Sequence, residues 1–462
     1  MVSSNRIRMN KLIVSLVFTI LTVLAPTYAQ TVYPMLVKSH IEFQRALGGE
    51  GDEECLSILE VKDKEKGYLI SGNTQGVGAG KRDFFLTRID SVGRHMWTKT
   101  YGGKDNEFGG FVEKTTEDSF VLVGYTESYN QDNNQILLIK VDMTGNVLWS
   151  KTIGLDRSVY ASTLTVVRDG GFVILGETIN NSGEVKHSDI LVTKTDKDGN
   201  ILWSKIIGGD RTDYGYSISE TIDHGYIIGG ETNSFGKGDW DYYFVKLKEN
   251  GDIEWTRAFG TDSSDFGRVA RQAPDGTFIL GGTCVTSKDV DMEIGLIRVD
   301  ANGGLIWAKT MGGQGAEYLL DLITLDDKSF AIAGYTSSFG LNQEDAFISI
   351  LDFDGKMKWM KSYGGPEEDH GVALCKTTND GIILAGQTSG FGAKGKDVML
   401  IKTTRKWSKY QCNANVVIPT TTKVVSKVMS GGTQTNVRMN LFDVDVSVSD
   451  IKFSEKTLCV PY

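Results

Sequence analysis

The sequence predicts an all-β chain, a seven-bladed β-propeller of four-stranded antiparallel blades with a small C-terminal β appendage. Three observations predict it. A unit of about 52 residues recurs seven times, and each unit holds four apolar runs of strand length. No segment sustains a 3.6-residue apolar period over the length of a helix.

The first 29 residues read as a secretory leader. Arg6, Arg8 and Lys11 charge its start, Leu12 to Ala25 is apolar, and Thr27-Tyr28-Ala29 offers small residues at the cleavage positions. The apolar run is short for a bilayer span, so cleavage after Ala29 and an exported, extracellular product without a transmembrane segment are expected.

Residues 37–410 are assigned to the propeller. Trp97, Trp149, Trp203, Trp255, Trp307 and Trp359 follow one another at 52 or 54 residues. Each stands four residues after a glycine, and Asp90, Asp142, Asp196, Asp300 and Asp352 stand three residues before that glycine, with Lys248 the departure. In the fourth unit the strands are expected over Tyr216 to Thr221, Tyr226 to Glu231, Asp241 to Leu247 and Ile253 to Ala258. Asp223-His224-Gly225 and Glu249-Asn250-Gly251 supply hairpin turns between them. The segment Ile41 to Arg45 matches the Trp-bearing outer strand, with Phe43 at the Trp position, and the last unit lacks that strand. Residues near 41 to 46 are therefore expected to complete the seventh blade and close the ring.

Residues 411–462 break the repeat, and the alternation around Val444, Val446 and Val448 marks them as β-rich. Cys412 and Cys459 bracket this tail and form a disulfide candidate in an oxidising compartment. Cys55, Cys284 and Cys375 lie singly within the repeats and read as small buried apolar residues.

The Asp-x-x-Gly-x-x-x-Trp string resembles the Trp-bearing hairpin of quinoprotein-type propellers. The double glycines Gly229-Gly230 and Gly281-Gly282 are similar to kelch repeats. The whole also resembles tandem propeller repeats of secreted microbial proteins. The resemblance covers roughly residues 40 to 410 and implies a fold; a quinone cofactor is what the quinoprotein likeness alone would imply. The Gly-to-Trp spacing differs by one residue from the sialidase-type aspartate box, so that motif is not carried over.

Chemistry is harder to find. Nucleophile-elbow, zinc-protease and Cys-x-x-Cys patterns are absent, and His40, His95, His187, His224 and His370 fall at unrelated repeat positions. Gly76 to Lys81 has the look of a phosphate loop but lacks its leading glycine and trailing hydroxyl, and reads as a repeated connecting loop. Net charge is −10, which speaks against nucleic acid and anionic membranes as partners.

The periodic feature is acidic. Asp83, Gln135, Asp189, Asp241, Glu293, Asp345 and Asp397 precede the third strand of successive units. Glu53, Glu107, Asp213, Asp265, Glu317 and Asp369 precede the first, with Val159 interrupting. Both series belong to one face, whose loops differ most between units. Carboxylates repeated at turns ordinarily accept backbone N–H groups, and that role is preferred for them. The same acids, taken as a candidate binding face, would favour a cationic ligand, a basic protein patch or a Ca²⁺-bridged sugar; no cofactor is expected, apart from Ca²⁺ if this face binds a cation. Asn180 begins an Asn-x-Ser glycosylation sequon in one of these loops.

The expected function is a non-enzymatic, monomeric binding or adhesion scaffold, secreted or at the cell surface, for a protein or glycan ligand. The alternative is a propeller enzyme, carbohydrate-active or quinone-dependent, working at the mouth of the central channel.

Overall fold

The computed structural model describes residues 41–49, 51–130, 132–180, 187–285, 292–325, 328–340, 343–390 and 395–404, then seven short strands between 414 and 459. The leader assigned to residues 1–29 and Cys412 lie outside the described residues, as do the two residues after Asn180 in the sequon. Among the described residues no helix is present, and so none is long and apolar enough to cross a membrane.

Seven antiparallel sheets form a closed ring. Blade four is representative: an inner strand (Asp213–Glu220), a second (Tyr226–Thr232), a third (Asp241–Leu247) and an outer strand (Ile253–Gly260), each paired with the next. The inner strand starts three residues earlier than Tyr216, where the apolar pattern alone begins it. A β-bulge between Gly215 and Ser217 breaks the strict alternation there and hides the first turn of pairing from a pattern count. The same shift recurs in all seven inner strands.

Ring closure follows the expected route. Ile41–Gly48 pairs antiparallel with Asp397–Thr404, so the chain's first described strand is the outer strand of blade seven. Phe43 takes the tryptophan position there. A Cβ added to Gly93 would meet its ring at 2.9 Å, and one added to Gly251 would meet the Trp203 ring at 2.8 Å. Six of the seven large rings on outer strands thus lie against the hairpin glycine of the next blade; Trp359 has no such partner, because blade seven takes its outer strand from the other end of the chain and has no hairpin there. Those glycines have φ between +71° and +84°, which a side chain would strain as well as obstruct. The hairpin aspartates cap the same turns: Asp142 Oδ1 accepts from the N–H of Thr144 and of Asn146 at 2.8 and 2.9 Å. These bonds hold the Asp142 carboxyl below its ordinary value.

The core is divided among the junctions. Seven apolar clusters each draw on two neighbouring blades, as where Val173, Leu175 and Ile190 of blade three meet Ile218, Ile228 and Tyr243 of blade four. A blade alone would leave both of its faces wet; the closed ring leaves none.

The tail is β-structured and runs as a belt around the rim. Its strands Ala414–Val416, Thr420–Lys423, Lys427–Met429, Thr433–Asn436, Asn440–Asp443, Ser447–Ile451 and Ser454–Cys459 each add a fifth strand to one blade. They visit blades six, five, four, three, two and one, and then seven, where the last pairs with Ile41–Gly48. Every outer strand, which would otherwise expose a row of unpaired N–H and C=O groups, is covered along part of its length.

Candidate functional site

The repeated acids stand at the start of the inner and third strands, and most are buried rather than displayed. Glu53, Glu107, Asp213, Glu317 and Asp369 have no measurable exposure, Asp265 has almost none, and Asp83, Asp189, Asp241 and Asp345 are also buried. Glu293 and Asp397 are half-buried. An inner-strand acid reaches back to the glycine-rich link from the preceding blade. Asp213 Oδ2 accepts from Gly209 N–H at 2.9 Å and Ser234 Oγ at 2.7 Å, while its other oxygen accepts from Thr232 Oγ1. Glu107 repeats this with Gly103 N–H (2.9 Å), Thr126 (2.7 Å) and Ser128 (2.6 Å). A third-strand acid holds the loop before it: Asp241 Oδ2 accepts from the N–H groups of Lys237 and Gly238 at 3.0 and 3.1 Å.

The two series meet at the blade junctions. A Cβ on Gly260 would lie 1.9 Å from Asp241 Oδ1 and 2.9 Å from Asp265 Oδ2, and Gly102 stands in the same way between Asp83 and Glu107. Six of the seven junctions therefore carry a carboxyl pair: Asp397 with Glu53, Asp83 with Glu107, Asp189 with Asp213, Asp241 with Asp265, Glu293 with Glu317, and Asp345 with Asp369. At the seventh both members are replaced together, by Gln135 and Val159. Burial raises Glu53 to about 7 and Asp213 and Asp265 to about 6, and the neighbouring acid adds to the rise in each of these three.

With the periodic acids committed to the junctions, the surface with chemistry to spare is the channel and its mouth. The bulges turn Tyr216, Arg268, Ser162, Leu320 and Val372 toward the axis, where residues of all seven inner strands enclose a cavity of about 380 Å³. Deeper in it stand Glu113, Arg271 and Asp321. Asp321 accepts from Leu374 N–H at 2.8 Å, tying blades six and seven, and lies 3.6 Å from the Arg271 guanidinium. Burial pushes the Glu113 carboxyl up to about 7, against the pull of Arg271.

On the loop-rich face the second residue of each inner strand forms a collar: Phe108, Tyr160, Tyr214, Phe266, Tyr318 and His370, with Glu54 completing it. All are half-buried. Ring contacts knit the collar to the second strands. Phe108 stacks on Tyr125 at 5.0 Å, Tyr125 meets Tyr160 edge-on at 4.9 Å, and Tyr318 stacks on Tyr335 at 4.6 Å. Trp240, from the loop before the third strand, stacks on Tyr214 at 5.7 Å.

Across blades three to five the collar carries polar groups. Glu177 pairs in register with Tyr160, and Glu231 with Tyr214. Tyr216 donates its hydroxyl to Glu231 Oε1 at 2.9 Å, and the exposed Arg268 guanidinium lies 4.5 Å from the Tyr216 ring centre. Burial raises both Glu177 and Glu231 to about 7; for Glu231 the Tyr216 bond and Arg268 offset part of that rise. Two carboxyls that exchange protons near neutrality thus share an aromatic, partly dry site with one fixed cation.

Reasoning from the sequence missed this site, because its carboxyls do not recur. Glu177 and Glu231 lie at one repeat position whose other occupants are Asn73, Tyr125, Thr283, Tyr335 and Gln387. Comparing units for the odd residue would have found them. Also missed was a structural series on the opposite face, where Arg88, Lys140, Lys194, Lys246 and Arg298 bond Asp63, Glu117, Asp169, Asp223 and Asp275 of the first hairpin at 2.5–3.0 Å.

The architecture defines a seven-bladed β-propeller with a circumferential fifth strand. No family model matches the chain. A stretch of 137 residues is 24% identical to the regulatory protein FlaEY of Caulobacter vibrioides, covering 26% of this chain and 14% of that protein. The chain thus matches only a small part of that relative's length. Similar solved structures include a puromycin hydrolase S511A mutant, at 14% identity and TM-score 0.43, covering 73% of this chain and 50% of that one. Another is Sqt1 of Chaetomium thermophilum bound to the N-terminus of ribosomal protein L10, at 9% identity and TM-score 0.38, covering 77% and 98%. A third is the α-L-arabinofuranosidase Arb93A of Fusarium graminearum, at 8% identity and TM-score 0.35, covering 78% and 97%. Enzymes and a binding protein stand among these neighbours, and at such distances none carries an activity or a ligand over.

Proposed function

We propose that this protein is an exported binding scaffold, secreted or held at the cell surface, that takes a hydroxyl-rich ligand of the glycan class at the mouth of its channel. The observation that carries this reading is the collar of half-buried aromatic rings beside Glu177, Glu231 and Arg268. Aromatic faces offer flat apolar area to the C–H faces of a sugar ring. Carboxyls that are part protonated at neutral pH can both donate to and accept from hydroxyls. The cavity beneath leaves room for part of the ligand to descend.

A second reading has its own support. Carboxyls with values near 7 suit proton transfer, so Glu177 and Glu231 could serve a hydrolytic enzyme as acid and base. One experiment tests both. The purified chain is applied to a glycan array, and the glycans it retains are assayed for cleavage. Binding without cleavage, weakened about tenfold or more in both Glu231→Gln and Tyr214→Ala, is the expected result (a loss of roughly 1.4 kcal/mol). Cleavage abolished by Glu231→Gln would select the enzyme. Binding that neither variant disturbs would move the ligand away from the collar.

A further inference from the structure

At the junction of blades six and seven, three side chains of ligand chemistry meet on the loop-rich face. Glu344 precedes the third strand of blade six (Asp345–Asp352), and Glu368 and His370 flank Asp369, the first residue of the inner strand of blade seven (Asp369–Lys376). Their ligand atoms all lie within 4.8 Å of one another, with His370 Nε2 2.6 Å from Glu344 Oε2. The backbone fixes the spacing: Asp369 N–H donates to the Glu344 carbonyl at 2.8 Å, and Ser389 N–H to the Glu368 carbonyl at 3.0 Å. The Tyr335 ring lies against the imidazole at 4.1 Å and sets its plane.

The repeat supplies internal comparisons. The same three positions hold Trp240, Ser264 and Phe266 at the junction of blades four and five, and Met292, Ala316 and Tyr318 at the next. Where acids return, between blades seven and one, the cations are built in: Lys396 stands with Asp52 and Glu54, and Arg82 bonds Glu54 at 2.7 Å. Only between blades six and seven do all three positions carry metal-ligating types at once. Among the described residues the ion partner of Glu344 is His370 itself, and Glu368 has none. Among the described residues no lysine or arginine forms an ion pair with these groups, so two carboxylates and an imidazole make a site of three ligands that is open to solvent on the Glu368 side.

We propose that Glu344, Glu368 and His370 form a binding site for a single zinc ion. An imidazole nitrogen with two carboxylate oxygens suits Zn²⁺, whereas Ca²⁺ and Mg²⁺ take oxygen sets. Ligand atoms around tetrahedral Zn²⁺ stand about 3.3 Å apart. His370 and Glu344 need open by only about 0.7 Å, exchanging the proton between them for the metal. Glu368 is exposed, so a water or a ligand oxygen can complete the coordination from solvent.

Titration of the full metal-free chain with zinc chloride, followed calorimetrically, tests this without reference to any glycan. The expected result is one Zn²⁺ per chain. Affinity falls by more than roughly 100-fold in His370→Gln, beyond the upper end of what losing an outer-shell partner costs, and also falls in Glu368→Gln. His187→Gln should leave binding unchanged. Glu368 is exposed, so its variant keeps the fold, and circular dichroism checks the β signature of all three. Cobalt substitution should add visible absorption bands that vanish in His370→Gln. Absence of zinc binding, zinc binding untouched by both ligand variants, or binding lost in His187→Gln instead would each overturn the site.

Discussion

Asp213 and its counterparts show how one residue type serves opposite ends of the pH scale according to burial. Hairpin aspartates such as Asp142 are held down by hydrogen-bond donors at the surface, whereas Glu53, Asp213 and Asp265 in the junctions are raised by desolvation and by the paired acid. For Glu53, Asp213 and Asp265 the folded values of about 7, 6 and 6 lie above the ordinary 4.5, 3.8 and 3.8. The folded state therefore holds these protons more tightly than the unfolded chain does. The stability they contribute is complete below about pH 4 and is lost as pH rises through 6 to 7. Surface acids such as Glu117, lowered to about 2 by Lys140 and Lys197, act in the opposite sense below pH 4. Thermal melts should accordingly peak near pH 5 and fall toward pH 8. Transplanting the neutral pair, as Asp241→Gln with Asp265→Val, should flatten that fall; a melting temperature that climbs from pH 5 to 8 would refute the account. Neutralising Asp241, Glu293 and Asp345 together, which tests the candidate acidic binding face, is expected to lower the melting temperature because all three stand in junctions and Asp241 holds the Lys237 and Gly238 N–H groups of the loop before it.

The outer-strand ring and the next blade's hairpin glycine form a unit of two elements. Gly251→Ala places a methyl against Trp203 at a φ of +81°, so the left-handed backbone alone costs about 1–2 kcal/mol before the ring must move. Trp203→Ala should cost about 3 kcal/mol from the emptied space. Because the two changes remove the same contact, the double variant should be less destabilised than the sum, read by urea unfolding. Strict additivity would mean that ring and hairpin do not pack as a pair. The glycine and tryptophan of this unit were both legible in the sequence, since turn chemistry and periodicity are local.

Closure belongs to the whole molecule. Deleting residues 41–48 removes the outer strand of blade seven and, with it, the edge that receives Ser454–Cys459. Loss of a single cooperative melt is the expected outcome, whereas replacing the surface loop 76–81 by a two-residue Asn-Gly turn between the paired Gln75 and Arg82 should leave it intact. The belt begins on blade six and ends on blade seven, adjacent blades, so its two ends come round to neighbouring positions on the rim. We propose that Cys412 and Cys459 are joined there, which would fasten the belt covalently. Non-reducing digestion and mass spectrometry should recover the linked peptides, and two free thiols would exclude the bond.

By itself the sequence determined the number of blades, their four strands, the closing strand and the turns, because each follows from residue types repeated at a fixed spacing. It also determined that acids recur at two positions of the unit. Only the tertiary structure decided what those acids do, since burial between blades depends on neighbours about 24 residues apart in the chain, as with Asp241 and Asp265. It alone assembled Glu177, Glu231, Tyr216 and Arg268, and Glu344, Glu368 and His370, from different blades. The belt, too, was invisible as such, because a strand of three to six residues has no pattern of its own and takes its place from the edge it covers.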